Sequence, residues 1–338
     1  SARSWKRRIS GAAERQGIKM TEQKHVLVAD WASGDFTAER ARMQPHGISI
    51  AGSGIVGTDS IEDKHAKLKR AIEAAERIDA LMFCIAPIDA EIISLLPDDC
   101  KLLQRNGTGL DNVDLEKAAE LGKTVRNTPR YCVEEVAVHA MGMLLSLHRQ
   151  LGQIQARMLA GEWSGMAPMP IRRLSTLTLG VLGFGRIGRK LGELMRPLVK
   201  NVVYYDEIGA DVDWATPMAL AAVLQTADLL SLHLPATPQT HHIINRETLA
   251  AMKDTAILVN AARGALVEAE ALAEALNEGR LGGAGLDVFT PEIPPLDSPL
   301  RTAKNILLTS HAAWYSEDAI RDAREEAVES VIEFLSGA

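Results

Sequence analysis

Residues 176–206 read TLTLGVLGFGRIGRKLGELMRPLVKNVVYYD, and the fold follows from how this stretch divides. TLTLGVL is a buried strand by pattern, RIGRKLGELMRPLV a helix, and NVVYYD a second strand ending in Asp206. Between the first two stands Gly183-Phe184-Gly185-Arg186-Ile187-Gly188. GxGxxG alone is weak evidence. Set between strand and helix, with an acid 18 residues past the last glycine, it has the context of a dinucleotide fingerprint. Gly183 permits the tight turn, Gly185 lets backbone approach a pyrophosphate, and Gly188 allows close helix–strand packing. The amides of the first helical turn, where Arg186 and Ile187 lie, and the positive end of the helix dipole bind the anion. Asp206 is expected to accept hydrogen bonds from the adenosine ribose. With Glu207 beside it, a 2′-phosphate would meet two negative charges, so NAD is favoured over NADP.

Working outward, the strand–helix alternation continues to the C-terminus. LLSLHL, AILVNAA, GAGLDVF and NILLTSH read as strands, and MALAAVLQTA, RETLAAM and EAEALAEALNEG as helices. Such alternation implies a parallel sheet wound on both faces. Upstream, HVLVAD (25–30) and ALMFCIA (80–86) are strands separated by a helical stretch, 61–78; residues 101–122 read as strand, glycine turn and helix. Residues 132–150 are apolar around much of a helix circumference, which predicts two packing partners at a domain or subunit interface. Residues 316–336 form a final amphipathic helix.

The chain has 338 residues, 46% hydrophobic and 24% charged, with a formal net charge of −7. That length supports two cores and that composition excludes a disordered chain. The acidic balance and 4% aromatic content argue against nucleic acid as a partner. No stretch approaches the apolar length of a membrane helix. Residues 1–19 carry Arg3, Lys6, Arg7, Arg8, Arg15 and Lys19 against Glu14 alone. Lacking an apolar secretory core, they are expected to be a solvated basic extension, with the fold beginning near Met20. Cys84, Cys100 and Cys132 form no metal spacing, and dispersed thiols fit a reducing, cytoplasmic setting. Adjacent His241 and His242 diverge and lack a third ligand, so no metal is expected.

Open α/β sheets bind ligands beyond the carboxyl ends of their strands. Arg263 follows AILVNAA, Glu292 lies three residues past GAGLDVF, and His311 ends NILLTSH. These types suit reversible reduction of a small 2-oxo acid to a 2-hydroxy acid. Arg263 can grip a carboxylate bidentately. His311 can donate a proton to the carbonyl oxygen and take it back in oxidation, with Glu292 stabilising the imidazolium. His233, ending LLSLHL, is expected to face the cofactor crevice.

RNGTGLDNVD, GFGRIG followed by YYD, LHLPATPQTHHIIN, LVNAARG, GLDVFTPE and TSHAAWYSEDA together resemble the D-isomer-specific 2-hydroxyacid dehydrogenases, in the family's order. HAAWYSE and YCVEEVA are most similar to its C-terminal-binding-protein-like branch. The resemblance implies Arg263 as carboxylate anchor, Glu292 as the histidine's partner and His311 as proton donor. It implies NAD contacts at Thr108, at Leu234, Pro235 and Thr240 within the 234–240 segment, at Ala261, and at Asp287, which would hold the carboxamide. It gives the substrate the amides of the Gly107–Thr108–Gly109 turn, with Arg105 and Trp314 lining the pocket.

The implied architecture is a Rossmann NAD-binding domain, 125–313, inserted into a flavodoxin-like substrate domain, 20–124 and 314–338. Both are doubly wound parallel sheets, and the 132–150 helix matches an element of family homodimers. Two departures bear on specificity. Ser310 stands where most relatives have proline, and Trp314 follows two alanines in place of the common glycine pair. An alternative of another class is an NAD(H)-sensing transcriptional corepressor, which needs a peptide-docking groove the sequence does not show. Formate dehydrogenase is disfavoured because that pattern has Gln where Glu292 stands.

Overall fold

The computed structural model describes residues 23–31, 35–167 and 169–337; the basic extension and Met20 lie outside the described residues. The chain divides into two compact units. One holds the described residues up to Tyr131 and those from Arg321 onward, the other Cys132–Ile320. The sequence set these crossings after residues 124 and 313. The contacts set them later for a local reason. Arg126 and Arg130 pair with Glu333 and Glu326 at 3.6 and 2.9 Å, tying TVRNTPRY to the terminal segment. Ser316 instead donates to Glu135 at 2.8 Å, within the second unit.

In the first unit, β1 (Lys24–Asp30), β2 (Ile48–Ile55), β3 (Ala80–Phe83), β4 (Leu102–Arg105) and β5 (Thr124–Arg126) form a parallel sheet. Its order is β2-β1-β3-β4-β5, the flavodoxin-like winding. Helices α1 (Thr37–Met43), α2 (Ile61–Ala74), α3 (Ala90–Leu95) and α4 (Leu115–Glu120) connect the strands. Ser60, Asp89 and Asp114 cap the last three, each accepting the amide three residues on, which satisfies an otherwise orphaned donor. The period of two divides the strand side chains between two cores. Leu27, Leu81 and Phe83 face Leu68 and Ile92. Val26, Val28 and Met82 face Met43 and, from the terminal helix, Val328 and Val331.

The second unit contains α5 (Val133–His148), α6 (Leu151–Leu159), β6 (Thr178–Leu182), α7 (Arg186–Met195), β7 (Asn201–Tyr205), β8 (Thr216–Pro217) and α8 (Leu220–Thr226). It continues with β9 (Leu229–Leu232), α9 (Arg246–Ala250), β10 (Ile257–Asn260), α10 (Ala269–Asn277), β11 (Gly283–Leu286) and β12 (Ile306–Leu308), then enters α11 (Glu317–Ser336). All strands are parallel, in the order β12-β11-β10-β9-β6-β7-β8. The order reverses at β6, the topological switch where such sheets bind ligands. Helix α5 finds packing partners inside its own unit. Ala140, Leu144 and Leu147 pack with sheet residues Val181 and Val259 and with Leu191 and Met195 of α7. Among the described residues, no helix is long and apolar enough to cross a membrane.

Candidate active site

β6 delivers the chain into the glycine turn. Gly183 has φ 90°, and a Cβ there would lie 2.5 Å from the His233 carbonyl oxygen. Any side chain would force β6 and β9 apart at their carboxyl ends. A Cβ on Gly188 would run into the Gly183 carbonyl oxygen, so this glycine lets α7 begin directly against the turn. Gly185 differs: open space lies beyond it. It precedes α7, whose first turn has no side-chain cap, leaving amide donors and the positive dipole end for an anion. Exposed Arg186 stands at that end. An uncapped helix start under an open glycine fits a dinucleotide pyrophosphate.

Asp206 follows β7 directly. Its Oδ2 accepts the Phe184 amide at 2.6 Å, and its Oδ1 accepts the amides of Ile208 and Gly209 at 2.9 and 3.2 Å. A carboxylate has about four acceptor positions, so capacity remains for a ribose hydroxyl. The same side chain ties β7 to the glycine turn.

At the end of β9, His233 Nε2 lies 2.9 Å from Ser231 Oγ, and burial holds its pKa down to about 4. The ring is therefore neutral around pH 7. The segment that follows bonds mainly to itself. Thr240 Oγ1 donates to the Pro235 carbonyl at 2.7 Å and accepts the Thr237 amide at 2.8 Å. The Thr240 hydroxyl thus shapes this turn, with Leu234 and Pro235 at its start.

Past β10, the buried Asn260 accepts the Ala262 amide at 3.0 Å and donates to the Arg263 carbonyl at 2.9 Å, bracketing Ala261 and fixing the turn. A Cβ on Gly264 would run into the Phe289 backbone. This glycine therefore seats the Arg263 turn against the chain leading from β11 to Glu292. Glu292 reaches His311, and its Oε1 is hydrogen-bonded to His311 Nδ1.

Asp287, wholly buried, stands between these elements. Its Oδ1 accepts the Thr309 hydroxyl at 2.5 Å and the Ala312 amide at 2.9 Å, and its Oδ2 accepts the Ala313 amide at 2.9 Å. Its carbonyl accepts the His311 amide at 2.7 Å. The sequence reading directed this carboxylate to a carboxamide. In the structure these oxygens are engaged by the loop that carries His311, a role without a sequence signal of its own. Trp314 lies past this loop, its ring edge-on to Tyr315 at 5.8 Å.

Arg105, Gly107, Thr108 and Gly109 belong to the first unit. Arg105 Nε donates to Asn112 Oδ1 at 3.1 Å, and Asn112 Nδ2 donates to the carbonyls of Cys84 and Ala86 at 3.2 and 2.9 Å. Gly107, φ 152°, has no Cβ to obstruct the guanidinium. Its amide donates to Thr128 Oγ1 at 2.7 Å. Within the fold that amide is engaged by Thr128. Burial, then the Asp30 charge, pushes the Cys84 thiol up to about 11, which leaves it protonated. Among the described residues, no group of three or more His, Cys, Asp or Glu side chains is set to hold a metal.

A model of the NAD-binding domain of D-isomer-specific 2-hydroxyacid dehydrogenases matches residues 141–313. The chain is 35% identical over 279 residues to a glyoxylate reductase of Korarchaeum cryptofilum, spanning 80% of this chain and 83% of that protein. This chain belongs to the D-isomer-specific 2-hydroxyacid dehydrogenase family. A hydroxypyruvate reductase of Thermotoga maritima is 34% identical over 280 residues, 81% of this chain and 90% of that protein. The crystal structure of a D-lactate dehydrogenase from Aquifex aeolicus, complexed with NAD and lactic acid, is similar with a TM-score of 0.76. The two share 27% identity, covering 93% and 96% of the chains. As a D-2-hydroxyacid dehydrogenase, the protein is an NAD-dependent oxidoreductase of 2-hydroxy and 2-oxo acids. The relatives named here are enzymes, and the corepressor alternative draws no support from them.

Proposed function

We propose that this dehydrogenase reduces small 2-oxo acids such as glyoxylate or hydroxypyruvate, with His311 as proton donor. One observation carries the reading: His311 Nδ1 is hydrogen-bonded to Glu292 Oε1, so Nε2 is the nitrogen left to hold the moving proton. NADH, when bound, supplies a hydride to the carbonyl carbon. The chain's own groups do the rest. Arg263 holds the substrate carboxylate, His311 Nε2 gives its proton to the carbonyl oxygen, and Glu292 stabilises the imidazolium before transfer. In oxidation the same nitrogen takes the hydroxyl proton. Gly183, Gly185, Arg186, Ile187 and Gly188 would hold the pyrophosphate, Asp206 the ribose, and Thr108, His233, Leu234, Pro235, Thr240 and Ala261 other parts of the cofactor.

The first unit is the substrate domain in this reading, with Arg105, Thr108 and Gly109 as its substrate residues; Trp314 is the residue proposed to set side-chain preference. Two copies form a homodimer in the cytoplasm, without nucleic acid. Exposed Leu151, Met158, Leu159, Trp163 and Met166, on α6 and beyond it, support a surface that a second copy covers. NADH oxidation measured with a panel of 2-oxo acids tests the proposal. Turnover of glyoxylate or hydroxypyruvate is expected, and turnover of no panel member together with tight NADH binding overturns it. Light scattering of wild type and Trp163→Glu tests the dimer, which the variant is expected to weaken.

A further inference from the structure

Helix α5 reaches the loop of the proposed proton donor through one side chain. His139 Nε2 lies 3.1 Å from Thr309 Oγ1 and 3.7 Å from Asp287 Oδ1. The direction of the hydrogen bonds follows from proton counting. The Thr309 hydroxyl has one proton, and it goes to Asp287 Oδ1 at 2.5 Å. Thr309 Oγ1 therefore accepts from His139, and His139 Nε2 carries a proton. The result is a chain running one way: His139 Nε2–H to Thr309 Oγ1, Thr309 O–H to Asp287 Oδ1. The same Oδ1 also receives the Ala312 amide, and Oδ2 receives that of Ala313.

We infer that His139 and Thr309 are positioning residues for His311, acting through the Asp287 carboxylate. The inference rests on the proposed role of His311. His311 sits at φ 53°, a left-handed conformation unfavourable for a residue with a Cβ, which persists only where surrounding bonds impose it. Asp287 supplies those bonds on both sides of the residue. Thr309 gives Asp287 Oδ1 its side-chain donor, and His139 ties Thr309 to α5, which packs on β10, β11 and β12. A buried carboxylate short of donors would be free to rotate away from the Ala312 and Ala313 amides. Neither His139 nor Thr309 has a role in substrate or cofactor contact in the reading above. They set the geometry of the group that does.

The test uses His139→Leu and Thr309→Val, which remove the donors at similar volume, with His139→Gln and Thr309→Ser, which restore them. Hydrogen exchange of the 309–313 segment, in protein without substrate, reads the loop independently of turnover. Faster exchange at Ala312 and Ala313 is expected in the Leu and Val variants and wild-type exchange in the Gln and Ser variants. In turnover, kcat is expected to fall about tenfold or more, with KM and NADH affinity within about twofold. The double variant should lose no more than the worse single one, because the two act in series. Wild-type exchange in Thr309→Val overturns the inference, whatever the substrate panel shows. So does unchanged kcat in that variant, or an equal loss in His139→Gln and His139→Leu. Failure of the wild-type panel with the expected exchange pattern overturns the functional reading alone.

Discussion

Asp287 holds His311 from both sides: its carbonyl accepts the histidine's own amide at 2.7 Å, and its carboxylate accepts the next two amides at 2.9 Å. One residue at the end of β11 thereby sets a left-handed backbone at the end of β12. Neighbouring parallel strands make this possible, because Leu286 and Leu308 are register partners, and the chain leaves both at the same level. The left-handed turn at His311 depends on where two strands stop.

His311→Ala removes the proposed proton donor and leaves the glycine turn untouched. Steady-state kinetics should show kcat lowered by roughly 10²- to 10⁴-fold, while NADH affinity, measured by fluorescence, stays within about twofold of wild type. Unchanged kcat would remove His311 from the chemistry.

Two glycine substitutions should separate. A Cβ on Gly188 meets fixed backbone, so Gly188→Ala is expected to cost about 1–3 kcal/mol of stability and most NADH affinity. A Cβ on Gly185 meets nothing in the protein. Gly185→Ala should melt at the wild-type temperature and still bind NADH poorly, because the methyl occupies the anion's approach. Calorimetry and fluorescence titration on the pair check this, and equal melting losses would contradict it.

Asp206→Ala should weaken NADH binding and narrow the gap between NADH and NADPH, since a 2′-phosphate no longer meets that charge. Parallel titration with both cofactors measures it. A wild type that prefers NADPH would refute the reading of this acid.

His233 gives a pH dependence. Its pKa is about 4 in the folded protein, below the usual 6.5, so between these values the unfolded chain binds a proton the folded one does not. Stability then rises with pH across this window, is fully present above about 6.5 and is lost as pH falls toward 4. The ceiling is about 3 kcal/mol at 1.36 kcal/mol per pH unit. Urea unfolding at pH 7 and pH 5 should show a smaller difference in His233→Gln than in wild type.

The dinucleotide fingerprint was legible because glycines, strand and acid stand close in sequence. The β6–α7–β7 unit follows its reading nearly residue for residue. β2 escaped notice: ISIAGSGI contains Gly52 and Gly54, its central residues are exposed, and an edge strand with a wet middle lacks the alternation that marks a half-buried one. α6 escaped because its apolar residues stay exposed in the chain. The positions of Arg263, Glu292 and His311 past strand ends could be anticipated from the strand pattern. The Thr128 hydroxyl that takes the Gly107 amide, the Asn112 that holds Arg105, and the His139–Thr309–Asp287 chain could not. Each joins its residues through a side-chain hydrogen bond, and no periodicity announces a hydrogen bond.

Asp206 closes the glycine turn through the Phe184 amide and starts the next loop through those of Ile208 and Gly209. The residue proposed to choose the cofactor is therefore also a staple of the fold. A lineage drifting toward NADPH would have to replace that staple before it could relinquish the charge. Cofactor preference in this protein is accordingly tied to its architecture, harder to alter by one substitution than the contacts with the ribose alone would suggest.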